Sequence, residues 1–401
     1  MSQRIAMRSA YDAIFKELCS FDLGSIRSVG LASGLAGIGL FLAVAARSLG
    51  TRAAFAKLEE CQEQIQLQLG DAGCADLGLY SGLAGVAFAF ESMEAAHLGQ
   101  GRAHDVNGDI DGIIADGLSG EGEGVPAHFD LVSGTAGLAM YALSRPEPAA
   151  RDRLYSLAFD RLARSATDAG DEAFWMTTPR YYGLEAHPGR FPTGVANLGV
   201  AHGTPGVVGV LAQAVRRELR TEDSVALLRK AGRWLVRHSR VDALEGIPYL
   251  AEQCDSTARL AWCYGDPGVA LALLDAAVSL GDAELLDQGQ RIALRAAARP
   301  LENSGVSDCG LCHGSTGLSL LFRRLNTIAP RPELEAANDR WMSHTLSRYA
   351  THGLDGLLSR DDKHQTAASR HSALTGIAGI GLVLAEELFA PAPDWAAWLL
   401  L

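Results

Sequence analysis

The sequence predicts an all-α protein, seven helical hairpins closed into a double ring of helices, an α/α toroid. Three observations predict it. A short phrase (small or polar residue, Gly, two residues, Gly, apolar run) occurs seven times, with first glycines at Gly34, Gly82, Gly134, Gly203, Gly265, Gly314 and Gly376. Spacings of 48 to 69 residues between them mark a supersecondary unit used repeatedly. The run after each phrase is apolar on nearly every side, so a helix there must be buried, and amphipathic stretches alternate with these runs.

In chain order, an amphipathic stretch at 3–19 precedes GIGLFLAVAA from Gly37, and 51–69 precedes GVAFAF from Gly85. Stretch 104–117 leads to the run after Gly134. In 148–167, Leu154, Leu157, Ala158 and Leu162 share a face while Arg151, Asp152 and Arg161 lie elsewhere. GVVGVLAQAV follows from Gly206. In 221–239, Leu228, Ala231 and Leu235 repeat the pattern behind a Thr221 cap. Stretches 282–298 and 332–352 complete seven outer helices. Pro205 and Pro267 fall in the first turn of inner helices, where a missing N–H costs nothing. Helical pairs also build open solenoids. Here all seven inner runs are comparably apolar, with no polar terminal cap, which favours closure and a single domain over 1–401.

The joins are lopsided. Inner-to-outer joins are short, near Gly50, Glu147, Arg220 and Gly281; outer-to-inner joins are long, at 70–81, 118–133, 168–202, 240–264, 299–313 and 353–375. The long loops therefore gather at one end of the ring, the expected active face. The longest, 168–202, carries FWMTTPRYYGLEAHPGRFPTG, whose aromatic, Thr and Pro-Gly content suits short strands and turns. It is either an inserted substrate-recognition subdomain or an ordered lid.

Composition sets outer bounds. Hydrophobic content of 48% with 20% charged residues describes a globular chain with ample core, and a formal net charge of -12 argues against nucleic acid or an anionic membrane as partner. Seven scattered cysteines do not form a disulfide framework. The N-terminal residues include Arg4, Arg8, Asp12, Lys16 and Glu17 with no apolar signal core, and no run reaches the roughly 18 apolar residues of a membrane span. These features predict a reduced, cytoplasmic protein without membrane insertion.

Aligning the phrases puts Ser33, Ser81, Ser133, His202, Tyr264, His313 and Thr375 just before the first glycines, and Ala32, Tyr80, Val132, Ala201, Cys263, Cys312 and Leu374 one residue earlier. In a closed ring the inner helix starts converge, so Cys263, Cys312, His313 and His202 should lie close together. Cysteine is often a small buried hydrophobe and histidine a satisfied core residue, and that reading suits Cys61, Cys74 and Cys254. Two cysteines and a histidine at matched repeat positions point instead to zinc, with three protein ligands and one open position. Cys309-Gly-Leu-Cys312-His313 also spells the c-type haem attachment pattern, which needs an export route. Cys309 is otherwise a further ligand or an idle thiol.

Taken together, AHG at Ala201–Gly203, WCYG at Trp262–Gly265 and CHG at Cys312–Gly314, in this order within seven glycine phrases, resemble the lanthionine synthetase C-like cyclases, which close thioether rings in lanthipeptides. The resemblance covers nearly the whole chain. It implies an α/α toroid, one zinc ion held by Cys263, Cys312 and His313, and a catalytic histidine at His202. It further implies site roles for Asp130 in FDLVSG, for Arg259 and for Tyr264. Implied partners are a dehydrated precursor peptide and a complex with a dehydratase and an exporter.

The expected chemistry is addition of a peptide cysteine thiolate to the β-carbon of dehydroalanine or dehydrobutyrine. His202 transfers protons, Asp130 orients it, and Arg259 steadies the enolate. The simpler readings are a helix cap for Asp130 and a loop ion pair for Arg259. Rival classes are a prenyltransferase-like toroid, whose zinc site draws in an acidic ligand, a carbohydrate-active toroid with paired carboxylates, and a zinc- and peptide-binding scaffold without turnover.

Overall fold

The structure is a computed structural model that describes residues 3–72, 76–97, 105–120, 128–179, 181, 191–240, 246–253, 257–359, 366–389 and 394–401. Among these, fifteen α-helices account for most of the chain. The outer helices are α1 (Gln3–Ser20), α3 (Arg52–Ala72), α5 (Gly108–Ser119), α7 (Pro148–Ser165), α9 (Thr221–His238), α11 (Ala283–Ala298) and α13 (Pro332–His352). The inner helices are α2 (Leu35–Leu49), α4 (Leu83–His97), α6 (Thr135–Ser144), α8 (Thr204–Arg216), α10 (Asp266–Leu280), α12 (Ser315–Ile328) and α15 (Ile377–Leu388), and a short α14 (Ala367–His371) precedes the last. Each inner helix begins at the residue after a first glycine, as the repeat predicts. No helix among the described residues is long and apolar enough to cross a membrane.

Local chemistry sets the helix ends. Gly50 and Gly281 close α2 and α10 in the left-handed conformation, with φ of 62° and 63°. Asp282 caps α11 by accepting from the Glu284 and Leu285 N–H groups at 3.0 and 3.1 Å, a contact worth about 1 kcal/mol. Pro205 and Pro267 lie in the first turns of α8 and α10, as expected. Thr221 is a correction. It is the first residue of α9 and caps nothing; Arg220 occupies the cap in a left-handed conformation with φ 46°, without a side-chain cap bond.

The chain divides into two compact units. One comprises Met1–Asp116, Ser307–Leu320 and Asp339–Leu399. Within it α2 packs on α3 and α4, and α15 packs on α1 and α2. The last inner helix thus lies against the first within this unit. From Leu35 to Ala46 every residue of α2 is buried, as its all-round apolar sequence requires. The second unit comprises Gly117–Val306, Leu321–Asn338 and Leu400–Leu401. There α6 packs on α7 and α8, α8 on α9 and α10, and α10 on α11.

The longest loop holds the short strands its composition predicts. β1 (Thr167–Asp168) pairs antiparallel with β2 (Ala173–Phe174), and β3 (Met176–Thr177) with β4 (Val195–Ala196). Trp175 anchors them: fully buried, it donates from Nε1 to the Leu162 carbonyl at 2.9 Å. Phe174 stacks on Trp234 of α9 with ring centroids 5.0 Å apart.

A candidate metal centre and proton-transfer pair

Each repeat turns sharply before its inner helix, and the turns are linked through the backbone. The Cys312 N–H donates to the Leu374 carbonyl at 3.0 Å, Leu374 to Ala32 at 2.9 Å, and Ala32 to Tyr80 at 2.8 Å. In the second unit Ala201 donates in the same way to Cys263, at 3.4 Å. These are the residues two before each first glycine, so the register read from the sequence is a physical ladder of neighbouring turns. The glycines are needed for space. A Cβ on Gly317 would strike the Leu311 carbonyl. Gly265, with φ 92°, adopts a conformation that a side chain would strain.

The turns bring together the predicted ligands. One atom each from Cys263, Cys312 and His313 lies within 4.8 Å of the others, and neither cysteine is in a disulfide. Zinc–sulfur bonds of about 2.3 Å place tetrahedral ligand atoms roughly 3.8 Å apart, which this grouping fits. Two thiolates and one imidazole are a zinc donor set that leaves one position for a substrate. Asp308, buried on the same turn as His313, accepts from the Gly310 N–H at 2.7 Å with Oδ1 and places Oδ2 3.3 Å from His313 Nε2. A carboxylate beside a ligating imidazole orients the ring and raises its basicity. Sequence reasoning missed Asp308; its signal is the position six residues ahead of Gly314.

Cys309, by contrast, is not part of this group. It is wholly buried, its N–H bonds to the Leu357 carbonyl, and burial pushes its thiol above the usual range. It lies outside the group of three that could hold a metal. Cys61 is buried as expected, donating to the Leu35 carbonyl at 3.4 Å. Cys74 and Cys254 lie outside the described residues.

His202 and Asp130 form the second cluster. Asp130 is fully buried; its Oδ2 lies 2.5 Å from His202 Nδ1, and its Oδ1 accepts from the Ser133 N–H at 2.9 Å. The carboxylate therefore holds its own turn and contacts the histidine; it is not the cap of α6, which is Gly134 without a side-chain cap bond. The His202 side chain keeps 30% exposure. Two residues before Asp130, His128 accepts from the Phe129 N–H at 2.8 Å through Nδ1, and its ring meets Tyr181 edge-on with centroids 3.7 Å apart. Burial holds the His128 pKa below that of a free histidine.

Tyr264 follows Cys263 and accepts from Asn197 Nδ2 at 3.0 Å, with its ring against Gly199 and 5.2 Å from that of Tyr249. Arg259 is half-buried on the same turn, its carbonyl lying under Gly265; its guanidinium makes no hydrogen bond or ion pair among the described residues. Asp266, next after Gly265, is fully buried and accepts from Arg295, Arg299 and the Ile247 N–H. It pins the base of the turn that carries Cys263.

The chain is similar to proteins already known. Residues 25–395 match the family model described as lanthionine synthetase C-like protein. The nisin biosynthesis protein NisC of Lactococcus lactis subsp. lactis is 27% identical over 328 residues, covering 77% of this chain and 76% of that protein. The solved structure of a nisin cyclase superposes with a TM-score of 0.76 at 22% identity, covering 98% of this chain and 96% of that one, which shows a common fold.

Proposed function

Because the chain belongs to the lanthionine synthetase C-like family, we propose that it is a zinc-dependent lanthipeptide cyclase acting on a dehydrated precursor peptide. The grouping of Cys263, Cys312 and His313 is the observation that carries this reading. Zinc bound there supplies a Lewis acid that favours the thiolate form of a peptide cysteine at neutral pH.

The chain's own residues supply proton handling. Asp130 holds the proton of His202 on Nδ1, which leaves Nε2 to take a proton from the peptide thiol and return it to the α-carbon. Sulfur bonds to the β-carbon, the alkene π pair moves toward the carbonyl oxygen as an enolate, and the α-carbon takes the proton. The reaction is an isomerisation without a redox step. Arg259 and Tyr264 lie on the turn of Cys263 as candidate partners of the developing enolate oxygen. The same reading gives a cytoplasmic enzyme working beside a dehydratase and an exporter, with the 168–202 loop as peptide-recognition element. Against a prenyltransferase-like site stands the absence of a carboxylate ligand from the group of three.

The test is incubation of the purified chain with a dehydrated, cysteine-containing peptide. Cyclisation leaves mass unchanged, so it is followed by loss of alkylatable thiols and of backbone fragmentation inside the new ring. Binding without thiol consumption would identify a peptide scaffold and sink the enzyme reading.

A further inference from the structure

Asn197 is fully buried six residues before Gly203, at the start of the turn that delivers His202. Its amide orientation follows from its neighbours. The Gly199 N–H, 2.8 Å away, only donates, so the atom facing it is Oδ1. Nδ2 then points at the Tyr264 hydroxyl, 3.0 Å away. An NH₂ group only donates, so the tyrosine oxygen accepts, and its own proton is directed away from Asn197.

The other repeats show what this residue adds. At the equivalent position Asp76 accepts from the Gly78 N–H at 2.8 Å, Asp308 accepts from the Gly310 N–H at 2.7 Å, and Ser28 accepts from the Gly30 N–H at 3.4 Å. At these three positions an accepting oxygen makes the turn bond, whereas His128, Arg259 and Arg370 hold the position in the remaining repeats. In Asp76 and Asp308 the second carboxylate oxygen is again an acceptor, facing the Ser81 hydroxyl and the His313 ring. Asn197 is the one amide among these four, and it turns its NH₂, which can only donate, on Tyr264. A carboxylate there would keep the turn and draw the phenol proton back onto itself.

We infer that Asn197 is a positioning residue that fixes the Tyr264 hydroxyl as a hydrogen-bond donor, and that this donor serves the peptide carbonyl oxygen of the dehydro residue as it takes on enolate charge. The inference rests on the cyclase reading. Tyr264 is well placed for a fixed orientation, its ring lying against Gly199 and 5.2 Å from that of Tyr249, and its backbone adjoining Cys263. A pre-aimed donor is worth most when charge develops only in the transition state, so the effect belongs to kcat.

The experiment is a double-mutant cycle with Asn197→Asp and Tyr264→Phe, measuring kcat, KM, zinc content and melting temperature. Tyr264→Phe should lower kcat about 10²-fold. Asn197→Asp should lower it comparably, with KM and zinc unchanged, and should cost nothing further once Tyr264 is Phe. A buried carboxylate titrates upward, and once protonated it donates to Tyr264 as the amide does. The ratio of Asn197→Asp to parent kcat should therefore recover as pH falls. Asn197→Ser, which recreates the Ser28 turn and frees the phenol proton, should fall between parent and Asn197→Asp; it carries the test if Asn197→Asp does not fold. An Asn197→Asp penalty equal in both Tyr264 backgrounds, or Asn197→Asp at parent kcat beside an impaired Tyr264→Phe, would overturn the inference while leaving a cyclase. Absence of ring closure by the parent chain would instead remove the functional reading beneath it.

Discussion

His202 Nδ1 lies 2.5 Å from Oδ2 of Asp130, a carboxylate with no exposed surface whose other oxygen is held by the Ser133 N–H. A buried, doubly held acceptor favours one tautomer of its partner, so under the proposed mechanism Nε2 is the atom that would exchange protons with a substrate. Asp130→Asn keeps the shape and loses that preference, because its amide can donate to Nδ1. Both Asp130→Asn and His202→Asn should lower kcat of cyclisation by roughly 10²–10⁴-fold with bound zinc intact. Rate assays paired with metal analysis decide it, and near-parent rates for His202→Asn would remove the acid–base assignment.

The metal prediction separates neighbouring cysteines. Cys263 and Cys312 belong to the group of three that could hold a metal and Cys309 does not. The parent chain should carry about one zinc, lost from Cys263→Ala and Cys312→Ala and kept by Cys309→Ala. Chelation should abolish cyclisation of the parent and zinc should restore it. Elemental analysis reads all four proteins, and zinc retained by Cys312→Ala would disprove the ligand set.

Much of this was legible before any coordinates. The glycine phrase announces its own register, because both glycines pack under carbonyls six residues back, as Gly317 does under Leu311. The ladder from Cys312 through Leu374 and Ala32 to Tyr80 is therefore aligned by counting residues. Asn197 and Asp308 were not legible as site residues. Each makes an ordinary turn bond with one side-chain atom, and its role lies in where the second atom points, which only the folded neighbours Tyr264 and His313 define. The Thr221 cap failed because the left-handed Arg220 takes the cap position and starts α9 at Thr221.

Asp266 should matter to stability before catalysis. Its carboxylate is wholly buried against Arg295 and Arg299, which are themselves only 13% and 12% exposed. Removing the one acid leaves two guanidinium groups poorly compensated, a change that costs about 3–5 kcal/mol in buried pairs. Asp266→Asn should lower the urea midpoint accordingly, and Cys263, three residues upstream, should bind zinc more weakly. An unchanged midpoint would mean that the arginines find other partners.

His128 gives a pH dependence with a definite sign. Burial lowers its pKa in the fold below the ordinary 6.5, so as pH falls through 6.5 the unfolded chain gains a proton that the folded chain refuses. The unfolded state then binds more protons, and stability rises with pH across the window between the folded value and 6.5. The contribution is complete above that window and is lost progressively below it. His128→Gln retains an oxygen for the Phe129 N–H but cannot titrate, so the parent should lose stability relative to this variant between neutral and mildly acidic pH. Urea unfolding of both proteins at several pH values measures the difference, and parallel curves would show that His128 accepts its proton in the fold as readily as in the open chain.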